Sequence, residues 1–212
     1  MKKLLTIFLT LFLSISAYCQ YGRTATGKEK DDFFSQISHV SKETKTLTCD
    51  FTMSKESTLI QDKNESKGKM YFQAPHKLRW EYTSPNKSAL IVNEQNVVLK
   101  NADGSTNTNV NTRMLKGLSD IIIGTIDGSG LQDEKNFTTT LVVFPTEIGN
   151  YRLILEPKGR LANMYKEIEI AFNGNYLAAF IELTEKNGDS MKICFSNHKT
   201  NQQIDQNLFK IQ

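Results

Sequence analysis

Residues able to do chemistry are few in this chain, and their spacing brings no two together. The three histidines, His39, His76 and His198, lie far apart. None has a second His or Cys at the separation that places two ligands on one metal ion. No Gly-x-Ser-x-Gly elbow presents a serine nucleophile. Gly128-Ser129-Gly130 lacks the Lys-Ser/Thr with which a phosphate loop holds a nucleotide. Glu167 and Glu169 share one face of an alternating segment, the pattern of a solvated strand surface rather than of two carboxylates flanking a sugar. Asn64-Glu65-Ser66, Asn86-Lys87-Ser88 and Asn136-Phe137-Thr138 match the glycosylation acceptor pattern and read as turn composition. The residues therefore assign no catalytic group, no metal and no cofactor, and a non-enzymatic protein is expected.

The amino terminus carries a second signal. Met1-Lys2-Lys3 is basic, Leu4 to Ile15 is almost wholly apolar, and small residues follow at Ser14, Ser16 and Ala17. This is the pattern of a secretory signal peptide, too short to span a bilayer comfortably. Residues 1–19 are expected to be removed after Cys19, leaving 20–212 as one exported domain. The rival reading acylates Cys19, but Tyr18 is large where a lipoprotein signal wants a small residue. Loss of Lys2 and Lys3 from 26 basic residues leaves 24 against 23 acidic ones. A near-neutral chain without a basic stripe does not suit nucleic acid. Cys49 and Cys194 remain in an oxidising compartment. Cys49 shares a face with Leu47, Phe51 and Met53, whereas Cys194 alternates out of the Met191, Ile193, Phe195 set, so two separate thiols are favoured over a disulfide.

The elements that hold these residues follow from the apolar period. Lys28–Asp32 reads as a charged lead-in, and from Asp31 the residues Phe33, Phe34, Ile37 and Val40 recur at helical spacing. Beyond Leu47 the period is two. Strands are expected at Lys67–Gln73, Lys77–Thr83, Ser88–Val92 and Val97–Lys100, with Pro75 and Pro85 at connections. Thr112 can cap a helix over Arg113–Thr125, which carries Met114, Leu115, Leu118, Ile121 and Ile122 as one stripe. Strands resume at Phe137–Val143, Tyr151–Glu156, Lys166–Phe172, Tyr176–Thr184 and Ser190–Ser196, with Leu208–Ile211 as an optional last one. The result is a mainly β chain of ten or eleven sequential antiparallel strands with a few short helices. Its alternating apolar residues read first as the core of a closed barrel or sandwich, since period-two hydrophobics are normally core. A curved sheet with a short detachable helix on an exported chain raises the alternative of a lipid concavity capped by that helix. Periodicity alone does not separate the two.

One stretch goes further. Gly68-Lys69-Met70-Tyr71-Phe72-Gln73-Ala74-Pro75 and Leu78-Arg79-Trp80-Glu81-Tyr82 up to Pro85 resemble the strand pair of periplasmic lipoprotein carriers of the LolA family. Asp50-Phe51-Thr52, Leu155-Glu156-Pro157-Lys158, Ile168-Glu169-Ile170 and Phe195-Ser196-Asn197 through Phe209 extend the likeness. The resemblance implies a single curved antiparallel sheet forming an incomplete barrel, with helices over its mouth. It implies a carrier that shields the acyl chains of lipoproteins between inner and outer membrane. The partners would be acylated lipoproteins, an inner-membrane lipoprotein-releasing ABC transporter and an outer-membrane acceptor, the carrier itself being a monomer. The cavity would be lined by Phe51, Met53, Met70, Phe72, Leu78, Trp80, Tyr82, Leu90, Leu153 and Ile170, with Met114, Leu115, Leu118, Ile121 and Ile122 as the lid. Better-known members place an Arg before the first Pro, to bond the lid helices; here that position is Ala74. Closure would then rest on apolar packing. Two neighbouring readings are an acylated LolB-like acceptor and an RseB-like lipid-sensing regulator, the latter needing an extra C-terminal domain.

Overall fold

The computed structural model describes residues 22–58, 64–94, 96–107, 112–128, 130–144 and 151–211, with backbone alone for 107 and 112–118. The signal-peptide segment and the turns around Asp62-Lys63 and Ile148-Gly149-Asn150 fall outside the described residues. Ten strands of six or more residues carry the sheet: β2 (Thr46–Glu56), β3 (Asn64–Gln73), β4 (Lys77–Ser84), β5 (Ser88–Asn93), β6 (Asn96–Asn101), β8 (Phe137–Val143), β9 (Tyr151–Pro157), β10 (Tyr165–Phe172), β11 (Ala178–Glu185) and β12 (Ser190–Thr200). Two-residue strands, β1 (Arg23–Thr24) and β7 (Thr106–Asn107), end the sheet. The strand order is β1-β8-β9-β10-β11-β12-β2-β3-β4-β5-β6-β7, with every pairing antiparallel. Two meanders are thus sewn together by the long β12–β2 pair, and β1 and β7 remain unjoined edges.

Register explains which side chains meet. Cys49 faces Met70, Met70 faces Trp80 and Trp80 faces Leu90 across β2 to β5. The alternation puts Leu47, Cys49, Phe51 and Met53 on the buried side of β2 and Thr48, Asp50 and Thr52 on the other. Laid flat, β4 and β12 would stand about 14 Å apart, three strand spacings of about 4.8 Å. Yet the Trp80 and Phe195 rings they carry lie 6.0 Å apart edge to face. The sheet therefore curls, and one apolar cluster takes members from both meanders.

Two helices close over the hollow side. Helix α1 (Gly27–Glu43) starts on a capping box in which Thr26 accepts from the Glu29 backbone and Glu29 reaches back to Thr26. The expected charged lead-in is thus the first turn of the helix. Arg23 and Thr26 together hold the exposed Glu29 carboxyl down at about 2. Phe33, Phe34 and Ile37 are buried, and the Phe33 ring packs against Tyr151, Phe172 and Tyr176. Helix α2 (Thr112–Asp127) crosses from β7 to β8 and buries Ile122, Ile123 and Ile126. Gly128, at φ +70, ends it against α1, where a Cβ would stand 3.2 Å from Ile37.

The expected last strand is not formed. Gln206–Phe209 is instead a 3-10 turn capped by Asp205, lying on the outer face of β4 and β5. Arg79, Asn93 and Lys100 donate to the carbonyls of Leu208, Phe209 and Lys210, so side chains replace a ladder. Ile204 and Phe209 are buried there, apart from the main cluster. This accounts for the unbroken apolar run Ala89-Leu90-Ile91-Val92, which is covered on both faces.

Candidate functional site

The concave face divides into a filled half and a hollow half. In the filled half, the Phe51 ring stacks on Trp80 with centroids 3.9 Å apart, and Tyr82 meets Phe51 edge-on at 5.5 Å. Gly68 makes this possible: a Cβ there would fall 2.4 Å from the Phe51 ring. Met53, Met70, Phe72, Leu78 and Leu90 are buried with these rings and Tyr82 is half-buried at the margin, while Leu153, also buried, sits on β9 opposite Leu141 and Ile170. Where α2 meets β2 and β12, only about 10 Å³ is left between Ile122, Thr125 and Ile126 on one side and Leu47, Cys49 and Met70 on the other. That holds at most a single water.

The hollow half lies on the other flank of α2. About 350 Å³ opens between Ile121 and Gly124 of the helix, the turn bearing Leu131, the start of β8 at Phe137, and Leu155, Leu161 and Ile170. This is the low end of the roughly 300–1,000 Å³ that small-molecule sites occupy. Its polar groups, Asp120 and Asn136, come from the helix and the turn. The turn is fixed by Asp133, which accepts from Lys135 N and Asn136 Nδ2 at 2.9 and 2.7 Å. Ile121 and Ile170 of the expected set border this hollow; the remaining described members pack on one another or on α2. The side chains of Met114, Leu115 and Leu118 lie outside the described structure. Leu131, Phe137, Leu155 and Leu161 were not in the expected lining. They come from a turn, two strands and a 3-10 helix and share no period; only the bend of the sheet brings them together.

Burial, with a smaller contribution from Asp50, pushes the Cys49 thiol up to about 12, so it is inert at neutral pH. Cys49 and Cys194 are both unpaired. His198 Nε2 lies 3.0 Å from the Ala178 carbonyl, and burial holds the imidazole below its ordinary pKa. Glu169 pairs with Arg152 at 3.0 Å on the outer face. No cluster of three His, Cys, Asp or Glu suits a metal among the described residues. A larger hollow of about 500 Å³ opens between β2, β3 and β12; its lining is mixed, and ion-paired side chains cross it, Asp50 accepting from Lys69 and Asn197, each at 2.8 Å. Arg79 does not reach the lid, since it is held by Glu81 at 3.0 Å and by Leu208. Ala74 simply packs against the core.

The family model described as "Outer membrane lipoprotein carrier protein LolA" matches residues 42–212. An outer-membrane lipoprotein carrier protein of Methylococcus capsulatus is 28% identical over 166 residues, covering 78% of this chain and 76% of the relative. Among solved structures, MucB shares the fold at a TM-score of 0.50 and 12% identity, over 88% of this chain and 64% of MucB. A LolA-superfamily protein of Nitrosomonas europaea aligns at a TM-score of 0.45 and 9% identity, over 85% of this chain and 96% of that protein. Among the described residues no helix is long and apolar enough to cross a membrane.

Proposed function

From the premise that the chain belongs to the LolA family of outer membrane lipoprotein carriers, we propose that it is a non-enzymatic periplasmic carrier that takes up the acyl chains of lipoproteins beneath α2. The observation that carries this reading is the hollow of about 350 Å³ under a helix whose inner side is apolar. Exposing an acyl chain of some fifteen methylenes to water costs about 12 kcal/mol at about 0.8 each. Unaided diffusion between two membranes is therefore negligible, and a carrier must cover the chain while it travels. The resting hollow accepts part of one chain; fuller uptake requires α2 to move off β2 and β12 and uncover the Phe51–Trp80 face. Met53 and Met70, unbranched and polarizable, suit a face that must repack around cargo.

In this reading residues 1–19 direct export and are removed, an inner-membrane transporter loads the cargo, and an outer-membrane acceptor receives it. The test is binding of a palmitoylated cysteinyl peptide to delipidated mature protein. Ile121→Trp, which fills the hollow from α2, is expected to weaken binding several-fold without lowering stability. Absence of saturable binding by the unsubstituted protein would overturn the proposal. Mass spectrometry of the mature amino terminus separates this carrier, without acylated Cys19, from an anchored acceptor.

A further inference from the structure

Among the described residues, Trp80 Nε1 is buried with no acceptor within hydrogen-bond geometry. The side chain is 1% exposed, and its indole N–H can only donate. A buried donor left unpaired is costly and rare in folded proteins. The ring cannot turn to find a partner, because Phe51 stacks on it and Phe195 stands edge-on to it. Tyr82 lies near enough for the indole to act on its hydroxyl, yet is not placed to accept from Nε1. Its own hydroxyl donates to Met53 Sδ at 3.8 Å, a weak acceptor readily exchanged for a better one. Two donors on a single strand, two residues apart, thus face the concave side without a strong acceptor.

Resting on the carrier reading above, we propose that Trp80 Nε1, seconded by Tyr82 Oη, receives the carbonyl oxygen of a fatty acyl ester or amide. The face would then read the head of the chain as well as its length. A hydrocarbon tail offers no acceptor, and an ether oxygen offers a poorer one than a carbonyl. An ionised fatty acid would bring a charge among Phe51, Tyr82 and Phe195, the rings around Trp80, none of which is cationic. Neutral acyl carbonyls are the ligand class that remains. Half-buried Tyr82 places the head of the chain toward the margin of the cluster and the tail toward buried Leu78 and Leu90.

The test compares two matched pairs of probes: palmitoyl and hexadecyl-ether lysophosphatidylcholine, and a diacylated cysteinyl peptide with its dialkyl-ether counterpart. The unsubstituted protein is expected to prefer the carbonyl member by about tenfold, the scale of one buried hydrogen bond. Trp80→Phe should bind both members at the ether level. Because Trp80 is the sole tryptophan, ¹⁵N-indole labelling yields one side-chain cross-peak to follow. That peak should move downfield with a carbonyl probe and not with its ether. A preference in the peptide pair assigns the carbonyl to lipoproteins, and a preference confined to the lysolipid pair assigns it to phospholipids; either supports the inference. Equal affinity for carbonyl and ether members, or an unmoved indole signal, would overturn it while leaving acyl carriage intact. Failure of all four probes to bind would remove the carrier reading and this inference together.

Discussion

Replacing Gly68 with alanine tests the aromatic cluster at its tightest point. The new Cβ would stand 2.0 Å from the Glu81 carbonyl oxygen and 2.4 and 2.6 Å from two atoms of the Phe51 ring. Carbon–oxygen contacts of this kind settle at about 3.3–3.6 Å, so the gap is short by more than about 1 Å. Glu81 belongs to the neighbouring strand, and its carbonyl cannot swing away as a side-chain tip could. Either β3 and β4 separate, or Phe51 leaves its stack on Trp80. Overpacking of this sort costs about 1–3 kcal/mol. For a chain of this size, each kcal/mol lowers Tm by about 2–4 °C, so a fall of roughly 2–12 °C is expected in a thermal melt. Emission from the single tryptophan should change at the same time, because its stacked neighbour has moved. A Gly68→Ala protein with unaltered Tm and unaltered Trp80 emission would refute this account of the cluster.

Other substitutions probe the remaining parts. Ile122→Ala empties a fully buried position on α2; it should cost about 2–5 kcal/mol and raise binding of a hydrophobic dye by loosening the helix. Thr26→Ala removes the side-chain acceptor that caps α1 and should cost about 0.5–2 kcal/mol, read from chemical denaturation. Phe209→Ala should cost about 3–5 kcal/mol by freeing the C-terminal segment from β4 and β5, with faster proteolysis of that end. His198 is favoured as the neutral form because burial lowers its pKa from 6.5. Its contribution is therefore complete above that value and is lost as pH falls from there toward the depressed folded value. A His198→Gln protein should lack that slope in a stability-against-pH series.

Much of the sheet was legible in the chain because its apolar residues alternate strictly, as Leu47 to Met53 do, and its turns fall at Pro75, Pro85 and Asn173-Gly174-Asn175. The start of α1 was not read, because Thr26 and Glu29 make a capping box inside a run of charges that resembles solvent-exposed chain. The C-terminal segment was misread because Ile204 and Phe209 are apolar for a different reason from a strand's: they cover the outer face of β5. The Phe51–Trp80 face could be anticipated from period and family resemblance. The hollow could not, since Leu131, Phe137, Leu155 and Leu161 converge only through the curl of the sheet and the placing of α2 across it.

The central claim is that α2 must leave β2 and β12 for a full acyl chain to enter. Cys49 and Ile126 border the same small gap between helix and sheet. An Ile126→Cys, Cys194→Ser protein refolded under oxidising conditions would tie α2 to β2 through Cys49, with the bridge verified by mass spectrometry. Affinity for a diacylated cysteinyl peptide should fall at least about tenfold (about 1.4 kcal/mol) in the bridged protein and recover on reduction. Equal affinity in the bridged and reduced states would contradict the account.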